Sequence, residues 1–358
     1  MRKSAILLVV AASLVAQAAE KKARNVILFI ADAGGVATVN LASAYGYGQP
    51  KKLFLQQMPN VALMDTSPTA DWVADSASGM SAIVTGQKTH NGVISQSATA
   101  VRGKSDGEIL QTILEHAEQR GLSTGVLTNT SAADATPAAC YAHSNSRGNT
   151  GEIFAQILKP RFGDGVDVVI GAGRKAIMGA TQKLGVNLET ALPEKGFTFV
   201  DSPDKITSDA RKLVALFDSG AYAPWPAVER TIDLLSRNRK GFFLMVEWDT
   251  HTNDVKAGLD RMVALDNLIR QTAGKVKNDT LIIFAADHSF DIRLRGGRKA
   301  DPLIEPVPSA RPKIRMDNGH TGEEVVVAAQ GPGSGRVKGF ILNSDLFQIM
   351  MAAYGWKI

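Results

Sequence analysis

What constrains this chain most is a set of short, almost continuously apolar runs spread along its 358 residues: 26–31, 124–127, 166–170, 242–246, 281–285 and 325–328. A strand that is apolar at every position, rather than at alternate ones, has both of its faces covered. Between these runs, residues 108–119, 151–158, 227–236 and 254–273 carry apolar side chains at three- and four-residue spacing, the mark of helices that bury one stripe. Strand and helix patterns in alternation predict an α/β fold, a mostly parallel central sheet with helices on both faces. Residues 174–225 carry weaker signals and read as a peripheral excursion, and 293–314, rich in Pro and Arg, as a loop.

The first residues read as a secretory signal: Arg2 and Lys3, an apolar run over 5–15, then Ala16, Gln17 and Ala18 as a small-x-small cleavage site. The apolar run is shorter than the ~20 residues that span a bilayer, so a cleaved leader over 1–18 is expected rather than a stable membrane anchor. The mature chain would be a single domain over 19–358, exported, with the periplasm as its expected destination. Removing Arg2 and Lys3 takes the formal charge from +5 to about +3. With so small an excess, and no Lys/Arg block interleaved with aromatic residues, the chain has no nucleic-acid-specific footprint. The single cysteine, Cys140, excludes an internal disulfide and reads as a small buried residue.

In open parallel sheets ligands bind beyond the carboxyl ends of the strands, so the residues there carry the information. Asp32 follows the first run and precedes Ala33-Gly34-Gly35; Glu247-Trp248-Asp249-Thr250-His251 follows the fourth; Asp287-His288 follows the fifth; and Asn318-Gly319-His320 precedes the sixth. Carboxylates and imidazoles packed so densely past buried strands are costly as plain structure and suit metal ligation, with oxygen and nitrogen donors and no cysteine. Ser76, in Asp71-Trp72-Val73-Ala74-Asp75-Ser76-Ala77-Ser78-Gly79, stands before a run of small residues that makes a closely packed helix, where N–H groups and the dipole favour an anion. Asp134-Ala135-Thr136-Pro137 offers oxygen ligands for a hard cation, and Arg147 a planar fork for two phosphate oxygens. Each segment also has a plain structural reading, as a helix cap, a turn or a solvated charge. His90, His116 and His143 are read as packing or surface residues.

Together, and in this order from Asn25 to about Gly333, these segments resemble the alkaline phosphatase family. The resemblance implies an alkaline phosphatase-like fold and a phosphate monoester hydrolase that uses two zinc ions and one magnesium ion. Ser76 would be the nucleophile, forming a phosphoserine, and Arg147 would hold the phosphate. Asp32 would bridge the magnesium and one zinc, which Asp287 and His288 complete. Thr136, Glu247 and Asp134 would serve the magnesium, Asp134 directly or through water. His320 would ligate the other zinc with Asp249 and His251. The block at Glu247 is shorter than in the family, and a rival alignment gives Glu247 itself the role of the zinc-binding aspartate. Substrates would be small phosphomonoesters, and the sequence leaves a homodimer open. The alternatives are a phosphodiesterase or sulfatase of the same superfamily, or a non-catalytic, metal-dependent phosphate-binding protein.

Overall fold

The computed structural model describes residues 21–305 and 312–357, so the expected leader lies outside the described residues. Twelve strands occur in chain order: β1 Asn25–Asp32, β2 Asn60–Asp65, β3 Ser123–Ser131, β4 Val168–Ala172, β5 Phe197–Val200, β6 Lys212–Leu216, β7 Phe242–Asp249, β8 Thr280–Ala285, β9 Ser289–Leu294, β10 Ile314–Thr321, β11 Val325–Gln330 and β12 Gly339–Leu342. Ten of them form one sheet in the order β12-β2-β11-β8-β1-β7-β3-β4-β6-β5, while β9 and β10 pair as a separate antiparallel ribbon. Within the large sheet only β11 runs against its neighbours, β2 and β8. β1, β7 and β8 lie side by side in parallel at the centre.

Why the central strands are apolar throughout is visible in where alternate residues go. Val26, Leu28 and Ile30 of β1, with Phe243 and Met245 of β7 and Leu281 and Ile283 of β8, enter one core layer. Ile27, Phe29, Phe242, Leu244, Ile282 and Phe284 enter the other. Met80, Ile83 and Val84 of the helix Ser76–Thr85 and Met350 of Asp345–Tyr354 close the first layer. Leu41 of Val36–Tyr47, Leu235 of Pro224–Ser236, and Leu265 and Ile269 of Val255–Lys275 close the second. Phe29, Phe243 and Phe284 are fully enclosed, and truncating any one to alanine costs about 3–5 kcal/mol at sites of this kind.

The six expected strands all form, with shifted bounds. β3 runs on through Thr128–Ser131, where polar residues hide the strand, and β7 continues through Glu247, Trp248 and Asp249. β7 therefore carries Glu247 and Asp249 at its end, and the chain leaves the strand only at Thr250, just ahead of His251. The expected helix over 108–119 starts only at Ile113. Thr112 ends it there with a capping box: its hydroxyl accepts from the Glu115 N–H at 3.1 Å, and the Glu115 carboxylate accepts from the Thr112 N–H at 3.0 Å. Residues 174–225 are not merely peripheral, because β5 and β6 extend the main sheet to its edge and every residue of β6 is buried.

Candidate active site at the carboxyl edge of the sheet

The register of the central strands brings the acidic residues together. Asp32 closes β1 opposite Asp249 of β7, and Ile30 sits opposite both Glu247 and Ala285, the last residue of β8. Asp287 and His288 follow two residues later and are fully buried. One ligand atom from each of Asp32, Asp287 and His288 lies within 4.8 Å of the others. His288 Nε2 stands 3.1 Å from Asp32 Oδ1, 3.6 Å from Asp287 Oδ2 and 3.4 Å from Ser76 Oγ. Its Nδ1 lies 3.1 Å from the Ser289 carbonyl, which can only accept, so Nδ1 carries the hydrogen and Nε2 is the atom turned toward the site.

Ser76 opens the helix Ser76–Thr85, and Asp75 caps it by accepting from the Ser78 N–H at 3.0 Å. The small residues of this helix let it press against β8's outgoing chain: a Cβ on Gly79 would stand 2.3 Å from the Asp287 carbonyl oxygen. Gly35 does the same on the other flank, where a Cβ would stand 2.2 Å from Ser289 Oγ. Arg147 donates from one terminal nitrogen to Asp75 at 3.1 Å and from the other to Asp134 at 2.9 Å, so both carboxylates orient its fork. Asn91 fixes the approach to Ser76. It accepts from the Asp75 N–H at 2.9 Å and the Ser78 hydroxyl at 2.6 Å, and donates to Asp71 at 3.2 Å and the Val73 carbonyl at 3.0 Å.

Glu247 is wholly buried beside its register partner Thr128. One carboxylate oxygen accepts from the hydroxyls of Thr128 and Thr130, and the other, Oε1, has no hydrogen-bond partner. Thr136, in the first turn of the helix Ala135–Tyr141, is buried with its hydroxyl equally unpartnered. Toward the ribbon, the His320 ring stacks on His288 at 3.8 Å, and the His251 ring stands 5.4 Å from His320. His320 Nδ1 donates to the Ala74 carbonyl at 2.9 Å, leaving Nε2 free of that bond. Asp249 accepts from the His251 N–H at 2.7 Å and from the Arg261 guanidinium at 3.2 Å. Asn91, Arg261 and Thr128 carry no sequence signal of their own, and Asp75 shows only as a helix cap. His143 stays outside, held by the Ser95 carbonyl and Glu115, and Cys140 is buried.

The electrostatics follow from crowding. Burial, reinforced by the charge of Asp32, pushes Glu247 well above the carboxylate range and Asp249 and Asp287 each up to about 7. Burial would raise Asp32 too, but its hydrogen bond to His288 and that residue's charge hold it below its ordinary value. Burial works against a charged His288, yet Asp287 and Asp32 raise it to about 9. His251 and His320 are lowered, chiefly by burial, and are thus suited to be neutral ligands. A divalent cation reverses the penalty on such carboxylates. The donor set fits one: among the described residues, Thr136 Oγ1, Glu247 Oε1, His251 Nε2 and Asp287 Oδ2 are all buried without a hydrogen-bond partner. Buried polar atoms are seldom left so in native proteins.

Serine, imidazoles and unpartnered carboxylates at one edge of a parallel sheet mark the site of a hydrolase. The chain belongs to the alkaline phosphatase family, whose family model matches residues 23–220 and 225–304. It is similar to the alkaline phosphatase of Escherichia coli (strain K12), 27% identical over 94% of this chain and 87% of that one. It is also similar to the alkaline phosphatase of Gadus morhua, 30% identical over 75% of this chain and 70% of that one. Among solved structures, the alkaline phosphatase of the Antarctic bacterium TAB5 shares the fold at a TM-score of 0.79, with 24% identity over 95% of this chain and all of that one.

Proposed function

We propose that the protein hydrolyses phosphate monoesters through a phosphoserine at Ser76. The observation that carries this reading is that four buried, hydrogen-bond-deficient atoms, on Thr136, Glu247, His251 and Asp287, lie at or just past the carboxyl ends of β3, β7 and β8, the edge where Ser76 Oγ stands 3.4 Å from His288 Nε2 and Arg147 pairs with Asp134. Asp32, Asp287 and His288 would hold one zinc; Asp32, Thr136, Glu247 and Asp134 a magnesium; and Asp249, His251 and His320 a second zinc. The pairing of Glu247 with Thr128 and Thr130 of β3, the strand that leads to Thr136, favours this assignment over the one that gives Glu247 the role of Asp249. Bound there, such ions supply Lewis-acid chemistry, lowering the pKa of hydroxyl and water and neutralising charge on phosphate oxygens.

Ser76 Oγ attacks the phosphorus as the bond to the leaving oxygen breaks, which releases the alcohol and leaves phosphoserine. Water then forms a bond to the same phosphorus from the vacated side, and the bond to Oγ breaks, returning Ser76 and free phosphate. Arg147 keeps two N–H groups for the equatorial oxygens while Asp75 and Asp134 hold its plane still. A monoester carries a third unesterified oxygen and a second negative charge that a diester lacks, which gathered cations would favour. Export to the periplasm is part of the same proposal and rests on the leader expected over 1–18; no helix among the described residues is long and apolar enough to cross a membrane.

Ser76→Ala is the test. Phosphate release from an aryl phosphate should vanish, and acid-quenched wild type, but not the variant, should carry one phosphoryl group in its intact mass. Retained turnover in the variant would overturn the nucleophile, and faster turnover of diesters or sulfate esters than of monoesters would favour the superfamily alternatives.

A further inference from the structure

Ser76 and the histidines define a direction. In-line displacement places the leaving oxygen opposite the attacking one; on the assignment proposed above, in which Asp249, His251 and His320 would hold the second zinc, the alcohol would depart toward His251 and His320. The backbone of 71–75 borders that end. The Ala74 carbonyl accepts from His320 Nδ1 at 2.9 Å, and a Cβ on Gly322, two residues past His320, would stand 3.0 Å from the Trp72 carbonyl oxygen.

Trp72 is 89% exposed, the most exposed large apolar side chain among the described residues. Its segment is not slack: Asn91 holds the residues on both sides through Asp71 Oδ2 and the Val73 carbonyl. An indole left in water on a fixed segment costs hydration free energy that burial against a ligand would recover. A Trp face also offers a broad platform on which another ring can stack.

We propose that Trp72 is a specificity-determining residue whose indole packs on the leaving group, so that the preferred substrates are phosphomonoesters in which a planar aromatic ring lies close to the phosphoryl group. This rests on the phosphomonoesterase reading above, and it adds the identity of the alcohol side. A small alkyl phosphate such as glycerol phosphate gains nothing from the indole, whereas an aryl ring covers it.

Wild type, Trp72→Ala and Trp72→Phe are compared in the metal-loaded protein, with phenyl phosphate and glycerol phosphate as substrates. Phenylphosphonate and methylphosphonate serve as non-hydrolysed ligands, which removes the intrinsic reactivity of the phenolate leaving group from the comparison. Trp72→Ala should lose about five- to tenfold in kcat/KM for phenyl phosphate and as much in affinity for phenylphosphonate. Glycerol phosphate and methylphosphonate should change less than about twofold, and Trp72→Phe should keep most of the aromatic preference. Equal losses on both ligand classes, or none on the aromatic pair, overturn the proposal. A wild type that turns over neither ester but binds phenylphosphonate more weakly after Trp72→Ala removes the phosphatase reading and keeps the aromatic platform. Binding of neither phosphonate sinks both.

Discussion

Replacing Arg147 by alanine separates catalysis from stability, because its two ion pairs are partly open to water and the role proposed for it rests on the donors they leave unused. The Arg147 side chain is 25% exposed, with Asp75 at 20% and Asp134 at 34%. Pairs of that exposure contribute about 1 kcal/mol or less to folding. Of the five N–H groups of a guanidinium, one on each terminal nitrogen is taken by these carboxylates, which leaves three, enough for the two phosphate contacts proposed. Losing two charge-assisted hydrogen bonds at the transition state corresponds to about 3–4 kcal/mol, a fall of roughly 10²–10³-fold in kcat/KM. Arg147→Lys should recover only part of it, since an ammonium keeps the charge and loses the fork. Steady-state kinetics on an aryl phosphate, with urea denaturation of each variant, reads both quantities. A drop in kcat/KM below about fivefold, or a loss of stability large enough to account for the lost activity, would refute the role given to Arg147.

Two further outcomes follow from other parts of the molecule. Arg261→Gln frees Asp249, whose carboxylate and carbonyl both accept from that guanidinium; zinc affinity, read by competition with a chromophoric chelator, should weaken about 10–100-fold, and an unchanged affinity would remove Arg261 from any role in holding Asp249. At the opposite end of the strands, burial, with the neighbouring Asp167, raises Glu118 to about 8 from 4.5. The native state there holds a proton that the unfolded chain has released, so stability is full below about pH 4.5 and falls as pH climbs toward 8, by at most about 5 kcal/mol. Glu118→Gln should flatten that fall in urea titrations between pH 5 and 8, and parallel curves for the two proteins would contradict it.

How much was legible in the sequence depended on whether a residue's role was local. β1, β7 and β8 declare themselves because both of their faces are buried, and the ligand candidates follow because they stand where those strands end. β2 and β12 lie at a half-covered edge, where Val61 and Phe340 stay exposed at 47% and 77%, and so lack the continuous apolar run that marks the others. The tail of β3 is hidden for a different reason: Thr128 and Thr130 are polar because they bond to Glu247 on the next strand. Arg147 stands out in the sequence only as a candidate phosphate fork, and its anchoring by Asp75 joins residues 72 positions apart. Asn91 and Arg261 likewise act through contacts that no spacing rule encodes.

The central claim is that divalent cations make this gathering of carboxylates and imidazoles tenable. It is tested most directly by elemental analysis of the purified protein, before and after chelation and after add-back, with thermal stability and phosphate release followed in parallel. About two zinc ions and one magnesium ion per chain are expected, with activity lost on their removal, restored by their return, and the melting temperature falling and rising with them. A protein that purifies without bound metal, keeps its melting temperature in chelator and still releases phosphate would contradict it.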